Sequence, residues 1–210
     1  MKVLFLIVAR GGSKGVPRKN LRKIGSIPLV GWKAVTARRS KYCDRLIIST
    51  DSRQIQAAAR RYGAEVPFTR PGKLATDTAK TTDVIWHAMK WLEAEGKRLP
   101  DAIMLLEPSS PFARPSDYDQ AVELMKRKKA DVVLGVRRVE TATRFIGPMG
   151  QGGSLARLVG KIASLPKLRR QDHAPEFTPN GALYLFGWDY FKKHRSLYAG
   201  SGKAFGVVMD

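Results

Sequence analysis

The stretch that most constrains this chain stands at its start. Val3 to Val8 (VLFLIV) is apolar throughout, and the sequence then turns at once into Ala9-Arg10-Gly11-Gly12-Ser13-Lys14-Gly15-Val16-Pro17-Arg18-Lys19-Asn20. A short, unbroken apolar run bounded by glycine reads as a strand buried on both faces of a parallel sheet. The loop behind it holds three glycines, two lysines and two arginines. Glycines let backbone N–H groups approach an anion closely, and the cations balance its charge, so the loop has the chemistry of a polyphosphate cradle. Its spacing matches neither the P-loop nor the GxGxxG fingerprint. The expectation is a nucleotide or another phosphorylated ligand at the carboxyl end of the first strand.

The rest of the chain repeats the strand–loop–helix rhythm. Pro28 to Tyr42 predicts an amphipathic helix with apolar residues on one side and basic residues on the other. Arg45 to Thr50 reads as a strand, with Asp51-Ser52 starting and capping a helix over Arg53 to Tyr62 that ends at Gly63. Glu65 to Phe68 reads as a short strand, and Arg70 to Ala79 as a hydroxyl-rich loop. Thr82 to Glu95 predicts a long helix with Val84, Ile85, Met89 and Leu92 facing inward. Asp101 to Leu106 is a further buried strand that runs into Glu107-Pro108-Ser109-Ser110-Pro111. A helix over Tyr118 to Lys128, its N-cap flanked by Ser116 and Asp119, and a strand over Asp131 to Val136 follow. From Arg137 to about Pro179 the rhythm fails in a stretch rich in Gly, Pro and basic residues, which marks a functional segment or an interface arm. A strand at Asn180 to Phe186, a short helix at Trp188 to Lys193 and a last strand at Ala204 to Met209 complete the pattern. The fold class is α/β, a doubly wound and mainly parallel sheet, in one domain over residues 1–210.

Composition narrows the function classes. The net charge of +20 over 210 residues admits nucleic acid, anionic small molecules or plain solubility. The basic residues are scattered as pairs such as Arg38-Arg39 and Arg60-Arg61, without interleaved aromatics or an RNA-binding motif, so nucleic acid is not the expected partner. No run approaches the length of a membrane span. Cys43 is the single cysteine, which excludes an intrachain disulfide and fits a reducing, cytoplasmic setting. His87, His173 and His194 lack metal-ligand spacing and receive no role.

Five segments then carry a resemblance. Ala9 to Gly15 with Pro17 to Asn20, Ser49-Thr50-Asp51, Arg70-Pro71 with Leu74 to Ala79, Glu107 to Pro111, and Phe177 with Pro179 to Tyr184 together resemble the acylneuraminate cytidylyltransferase family. This is the family of CMP–sialic acid synthetases and their legionaminic and pseudaminic acid relatives. The segments stand in family order across nearly the whole chain.

The resemblance implies a Rossmann-like nucleotidyltransferase fold and attack by the anomeric hydroxyl of a nine-carbon α-keto acid sugar on the α-phosphate of CTP, with Mg²⁺ as cofactor. It implies that Arg10, Lys14 and Lys19 contact phosphates and act catalytically, with Gly12 and Ser13 offering backbone donors and Asn20 meeting the ribose–phosphate side. Arg70, Ala79 and Thr81 would recognise cytosine and its ribose. Glu107, Arg170, Asn180 and Tyr184 would hold the sugar, Arg170 pairing with its carboxylate as a planar fork. Residues 137–179 would form a dimerisation arm that reaches the partner's site. The alternatives kept open are another sugar or NTP, or a CTP-binding form impaired in turnover.

Some residues carry a second reading. Asp51 and Asp77 serve equally as caps or loop-fixing acceptors. Asn180-Gly181 also fits a turn, and Tyr184 fits the core as well as a site. Glu107 stands where the family usually has Gln, and a carboxylate beside an acidic sugar is repelled unless a cation intervenes. The family's last strand is followed by a Ser-Ile-Asp-Ile-Asp segment whose aspartates bind Mg²⁺. The sequence ends at Asp210 before such a segment, that role is not transferred to Asp210, and the metal ligands remain unassigned.

Overall fold

The computed structural model describes residues 1–13, 15–140, 143–165, 174–200 and 202–209. Its centre is a six-stranded sheet ordered β4-β1-β5-β7-β6-β8. The strands are β1 (Val3–Val8), β4 (Cys43–Ser49), β5 (Ala102–Leu106), β6 (Val132–Arg138), β7 (Phe177–Gly187) and β8 (Ala204–Val208), with β2 (Lys23–Ile24) and β3 (Ile27–Pro28) as a separate small hairpin. β1 pairs in parallel with both β4 and β5. β6 and β8 are parallel to each other, and β7 lies antiparallel between β5 and β6. The sheet is thus mainly parallel, with one reversed strand.

The opening apolar run is explained by burial on two faces. Val3, Phe5 and Ile7 pack on one side of the sheet and Leu4 and Leu6 on the other, all 2% exposed or less. Burying each such large side chain contributes about 1.5–3 kcal/mol relative to leaving it in water. The first face is covered by α1 (Leu29–Arg38), α2 (Arg53–Arg61) and α4 (Pro115–Lys128). The second is covered by α3 (Thr81–Ala94) and α6 (Trp188–His194). Val84, Ile85, Met89 and Leu92 of α3 are buried as the spacing predicts. The Ser52 hydroxyl caps α2 by accepting from the Ile55 N–H at 3.4 Å.

Four sequence expectations are corrected. Glu65 to Phe68 is no strand: Glu65 makes a single bridge to Ile47, and Pro67, with no N–H to give, cannot extend a ladder. The α4 N-terminus is closed by Asp117, which accepts from the Arg114 N–H at 2.7 Å, while Asp119 accepts from the Ser40 hydroxyl at 2.6 Å. The stretch after β6 is not wholly irregular, for it contains α5 (Ala156–Ala163), a helix with no buried residue. Finally, α1 is not divided into an apolar and a basic side. Lys33 stands on its inner face beside Val30, Ala34 and Ala37 and is 0% exposed.

One irregularity positions the site. Between β6 and β7 the pairing passes from Leu134↔Tyr184 to Val136↔Pro179, so β7 carries extra residues there as a bulge containing Asn180 and Gly181. Gly181 takes the left-handed conformation, φ +73°. Gly135 faces the bulge from β6. A Cβ on it would meet Asn180 Oδ1 and Met209 Sδ at 2.8 Å each.

Candidate active site

The carboxyl ends of β1 and β5 open onto a cavity of about 570 Å³. Loop 9–20 forms one wall, loop 70–79 a second, the start of α3 a third, and Glu107 to Ser109 the floor. This is where an open α/β sheet offers its loops to a ligand.

The glycine-rich loop is held from behind. Asp51 accepts from the Gly11 N–H at 2.9 Å, tying the loop to the end of β4. The Asn20 amide donates to the Arg10 carbonyl at 2.9 Å, and Asn20 is itself 6% exposed. Arg18, at φ +53°, reverses the chain into the single turn Lys19–Leu21, a conformation that non-glycine residues adopt rarely. These contacts leave the Arg10 and Lys19 side chains on the cavity wall. Arg10 pairs with Asp77 at 2.6 Å, which links the two loops across the opening. Among the expected phosphate-loop residues, Ser13 and Asn20 also line the cavity, whereas Gly12 is exposed and outside the lining. Lys14 lies outside the described residues.

Loop 70–79 is anchored by Arg70, 5% exposed. Its Nε donates to the Ser49 hydroxyl at 3.1 Å, one terminal nitrogen to the Ser49 carbonyl and the other to the Leu74 carbonyl at 3.4 Å. Its backbone N–H donates to Thr50 at 2.9 Å. Burial and the nearby Arg10 lower its pKa, with Asp51 opposing, to about 10, so the guanidinium stays charged at neutral pH. Arg70, Ala79 and Thr81 all reach the cavity, with Arg70 committed to shaping the loop.

A second cavity of about 330 Å³ adjoins the first, because Thr81 and Glu107 line both. Its other walls include Lys80, Tyr184 and Tyr198. Burial raises the pKa of the Tyr184 hydroxyl, as do the negative ends of Tyr198 and Glu107. Of the expected sugar-side residues, Glu107 and Tyr184 therefore meet at this cavity. Asn180 does not line it. Its side-chain oxygen accepts from the Ala182 N–H at 3.0 Å and its carbonyl accepts from the Ser110 hydroxyl at 3.4 Å, so it braces the bulge beside Glu107. Arg170 lies outside the described residues.

Sequence reasoning missed Lys33 and Tyr118 beneath this junction. Lys33 Nζ donates to the Tyr118 hydroxyl at 3.2 Å and to the Ala182 carbonyl at 3.3 Å. Burial lowers the Lys33 pKa to about 7, with Glu107 and Asp117 opposing. Burial raises that of Glu107, with Lys19 and then Lys33 opposing. A signal was present: positions 30, 33, 34 and 37 fall on one helical face, so a lysine at 33 interrupts an otherwise apolar stripe.

The chain is similar to known proteins over most of its length. The cytidylyltransferase family pattern matches residues 4–150, more than half of the chain. A CMP-N,N'-diacetyllegionaminic acid synthase of Legionella pneumophila is 32% identical over 95% of this chain and 84% of its own length. An N-acylneuraminate cytidylyltransferase of Escherichia coli is 29% identical over 100% of this chain and 47% of its own length. Among solved structures, a CMP:2-keto-3-deoxy-manno-octonic acid synthetase complexed with CTP superposes with a TM-score of 0.68 at 19% identity, covering 100% of this chain and 91% of that one. The chain belongs to the cytidylyltransferase family and is a nucleotidyltransferase.

Proposed function

We propose that the protein transfers CMP from CTP to a nine-carbon α-keto acid sugar of the sialic, legionaminic or pseudaminic acid type, releasing pyrophosphate. The observation that carries this reading is the pair of joined cavities, one walled by a cationic glycine-rich loop and the other by Glu107 and Tyr184. The relatives are named for CMP transfer to sugars of this class. CTP would occupy the larger cavity with its triphosphate along Arg10, Lys14 and Lys19, taking a backbone donor from Ser13 and facing Asn20. Its base and ribose would lie toward Arg70, Ala79 and Thr81. The acceptor would enter the smaller cavity by Glu107 and Tyr184, with Asn180 bracing the bulge behind them and Arg170 as the partner of its carboxylate.

Chemistry then needs little beyond alignment and charge balance. The anomeric oxygen forms a bond to the α-phosphorus while the bond from that phosphorus to the α–β bridging oxygen breaks. Pyrophosphate leaves, and the hydroxyl proton passes to solvent. Arg10 and Lys19 face the charge that grows on the departing oxygens, and such preorganised donors are usually the largest catalytic contribution. Among the described residues no three carboxylate, imidazole or thiolate groups gather as a metal centre. A Mg²⁺ cofactor carried on the nucleotide phosphates would take few protein ligands and would supply positive charge at the triphosphate.

A second copy of the chain is the proposed partner, through the arm over residues 137–179. Ile146, Met149, Leu155 and Val159 are 43% exposed or more, and α5 has an apolar side that touches no core. Large apolar side chains left in solvent in this way are what an interface would cover. No helix among the described residues is long and apolar enough to cross a membrane.

The test is pyrophosphate release measured with each of four NTPs against a panel of keto-acid sugars. The expected result is release with CTP and a nine-carbon acid only. CTP binding without release for any acid would replace this reading with a nucleotide-binding module, and equal release with another NTP would reassign the base pocket.

A further inference from the structure

Glu107 poses a physical problem within the function proposed above. The acceptor is an acid, and a part-buried carboxylate at its subsite would repel it. The structure supplies the missing counter-charge from a direction that the sequence did not reveal. Two ammonium groups act on the Glu107 carboxyl, first Lys19, which lines the nucleotide cavity with it, and then Lys33 in the core. The two sides of this arrangement are joined through the β7 bulge. A Cβ on Gly181 would stand 3.6 Å from Glu107 Oε2, and the next residue, Ala182, accepts from Lys33 through its carbonyl.

Lys33 is an improbable residue for its place unless its charge is used. Desolvating a lysine is costly, and a side chain on this stripe could be apolar without disturbing the helix. It is fixed in place by two oxygen partners, the Tyr118 hydroxyl and the Ala182 carbonyl. Neither partner is charged at neutral pH, since burial and Asp117 raise the Tyr118 pKa. The anionic groups that act on Lys33 are Glu107, at the end of β5, and Asp117, on α4. Asp117 is engaged by the Arg114 N–H. Glu107 has no comparable partner in the contacts described above.

We propose that Lys33 is a positioning residue of the acceptor subsite, where its buried ammonium holds Glu107 as a carboxylate and the pair selects a sugar that presents a hydrogen-bond donor there. An ionised carboxylate only accepts, whereas the amide of a glutamine both donates and accepts. A hydroxyl or an N–H on the sugar is therefore favoured opposite position 107, and an acyl oxygen is disfavoured. The inference rests on the smaller cavity being the acceptor site.

Three variants test it: Lys33→Met, Glu107→Gln and the two together. At about pH 6, with Lys33 protonated, Lys33→Met should raise the sugar KM about tenfold and leave the CTP KM within about twofold. The gap from wild type should narrow at about pH 8.5, where the wild-type Lys33 is neutral and position 33 is uncharged in both proteins. Adding Lys33→Met to Glu107→Gln should change the sugar KM little, and Glu107→Gln alone should shift preference toward sugars offering an acyl oxygen. A loss equal at both pH values, or one that persists undiminished in the Glu107→Gln background, overturns the proposal. The Glu107 carboxyl followed by ¹³C NMR, identified by its disappearance in Glu107→Gln, gives a reading that needs no turnover. Its titration should move upward by at least about half a unit in Lys33→Met, and an unmoved titration overturns the pairing. If Lys33→Met does not fold, the converse applies: the ¹⁵N signal of Lys33 should titrate lower in Glu107→Gln, and an unchanged value refutes the coupling. If no acid sugar is turned over by wild type, the proposed function fails, and these titrations still decide whether the pair exists.

Discussion

Replacing Lys33 by Met should alter how stability depends on pH, and the size of the change follows from burial. The Lys33 pKa falls from 10.5 to about 7 on folding. Between those values the unfolded chain binds a proton that the folded chain has released, so stability rises with pH across that window. At about 1.4 kcal/mol per unit, and with half the folded molecules protonated at the midpoint, folding at pH 7 is penalised by about 4 kcal/mol relative to a lysine already neutral. By pH 9 the penalty has fallen to about 2 kcal/mol. Lys33→Met removes the titration. It also strands the Tyr118 hydroxyl and the Ala182 carbonyl, a loss of about 1–3 kcal/mol for each buried group that does not depend on pH in this range. Urea unfolding of both proteins at about pH 7, 8 and 9 should therefore give a stability difference, wild type minus variant, that rises by about 2 kcal/mol. Other groups that titrate, such as Cys43 with its thiol pushed up to about 11 by burial, are common to both proteins and cancel. Parallel stability profiles would show that Lys33 is not desolvated as described.

Gly135→Ala should drive a methyl group against Asn180 Oδ1 and Met209 Sδ, lowering stability by about 1–3 kcal/mol. Calorimetry checks the first effect, and a sugar KM that rises with little change in the CTP KM checks the displaced bulge. Arg10→Met removes a cation from the cavity wall and its pair with Asp77, so kcat/KM for CTP should fall by about 10²–10³-fold in steady-state kinetics. Asp77→Asn should fall far less. Val159→Asp, on the exposed side of α5, should shift sedimentation velocity from dimer to monomer while leaving the far-ultraviolet spectrum unchanged.

Much of the architecture was legible because its causes are local. The unbroken run Val3–Val8 announces burial on both faces, and β1 lies inside the sheet between two parallel neighbours. Ser52 and Gly63 mark the two ends of α2 by the conformations they favour. The Glu65 to Phe68 strand failed because composition there favours extension while Pro67 denies the ladder its donor. Helix α5 was hidden by the glycines and prolines before it, although its own residues have helical spacing. The phosphate loop was legible as chemistry, but its bracing was not: Asp51 holding Gly11, and Arg70 spent on Ser49, are pairings between distant segments. Lys33 shows the same limit. Its place on the α1 stripe could be counted, but its tie to β7 and its action on Glu107 arise only when the sheet brings them together.

The central claim is tested most directly by following the α-phosphate. With [α-³²P]CTP and a nine-carbon α-keto acid sugar, the label should appear in a CMP-sugar in step with pyrophosphate release, and Arg10→Met should abolish most of it. Tight CTP binding with no label reaching any acidic sugar, or label passing equally to neutral sugars, would contradict the account.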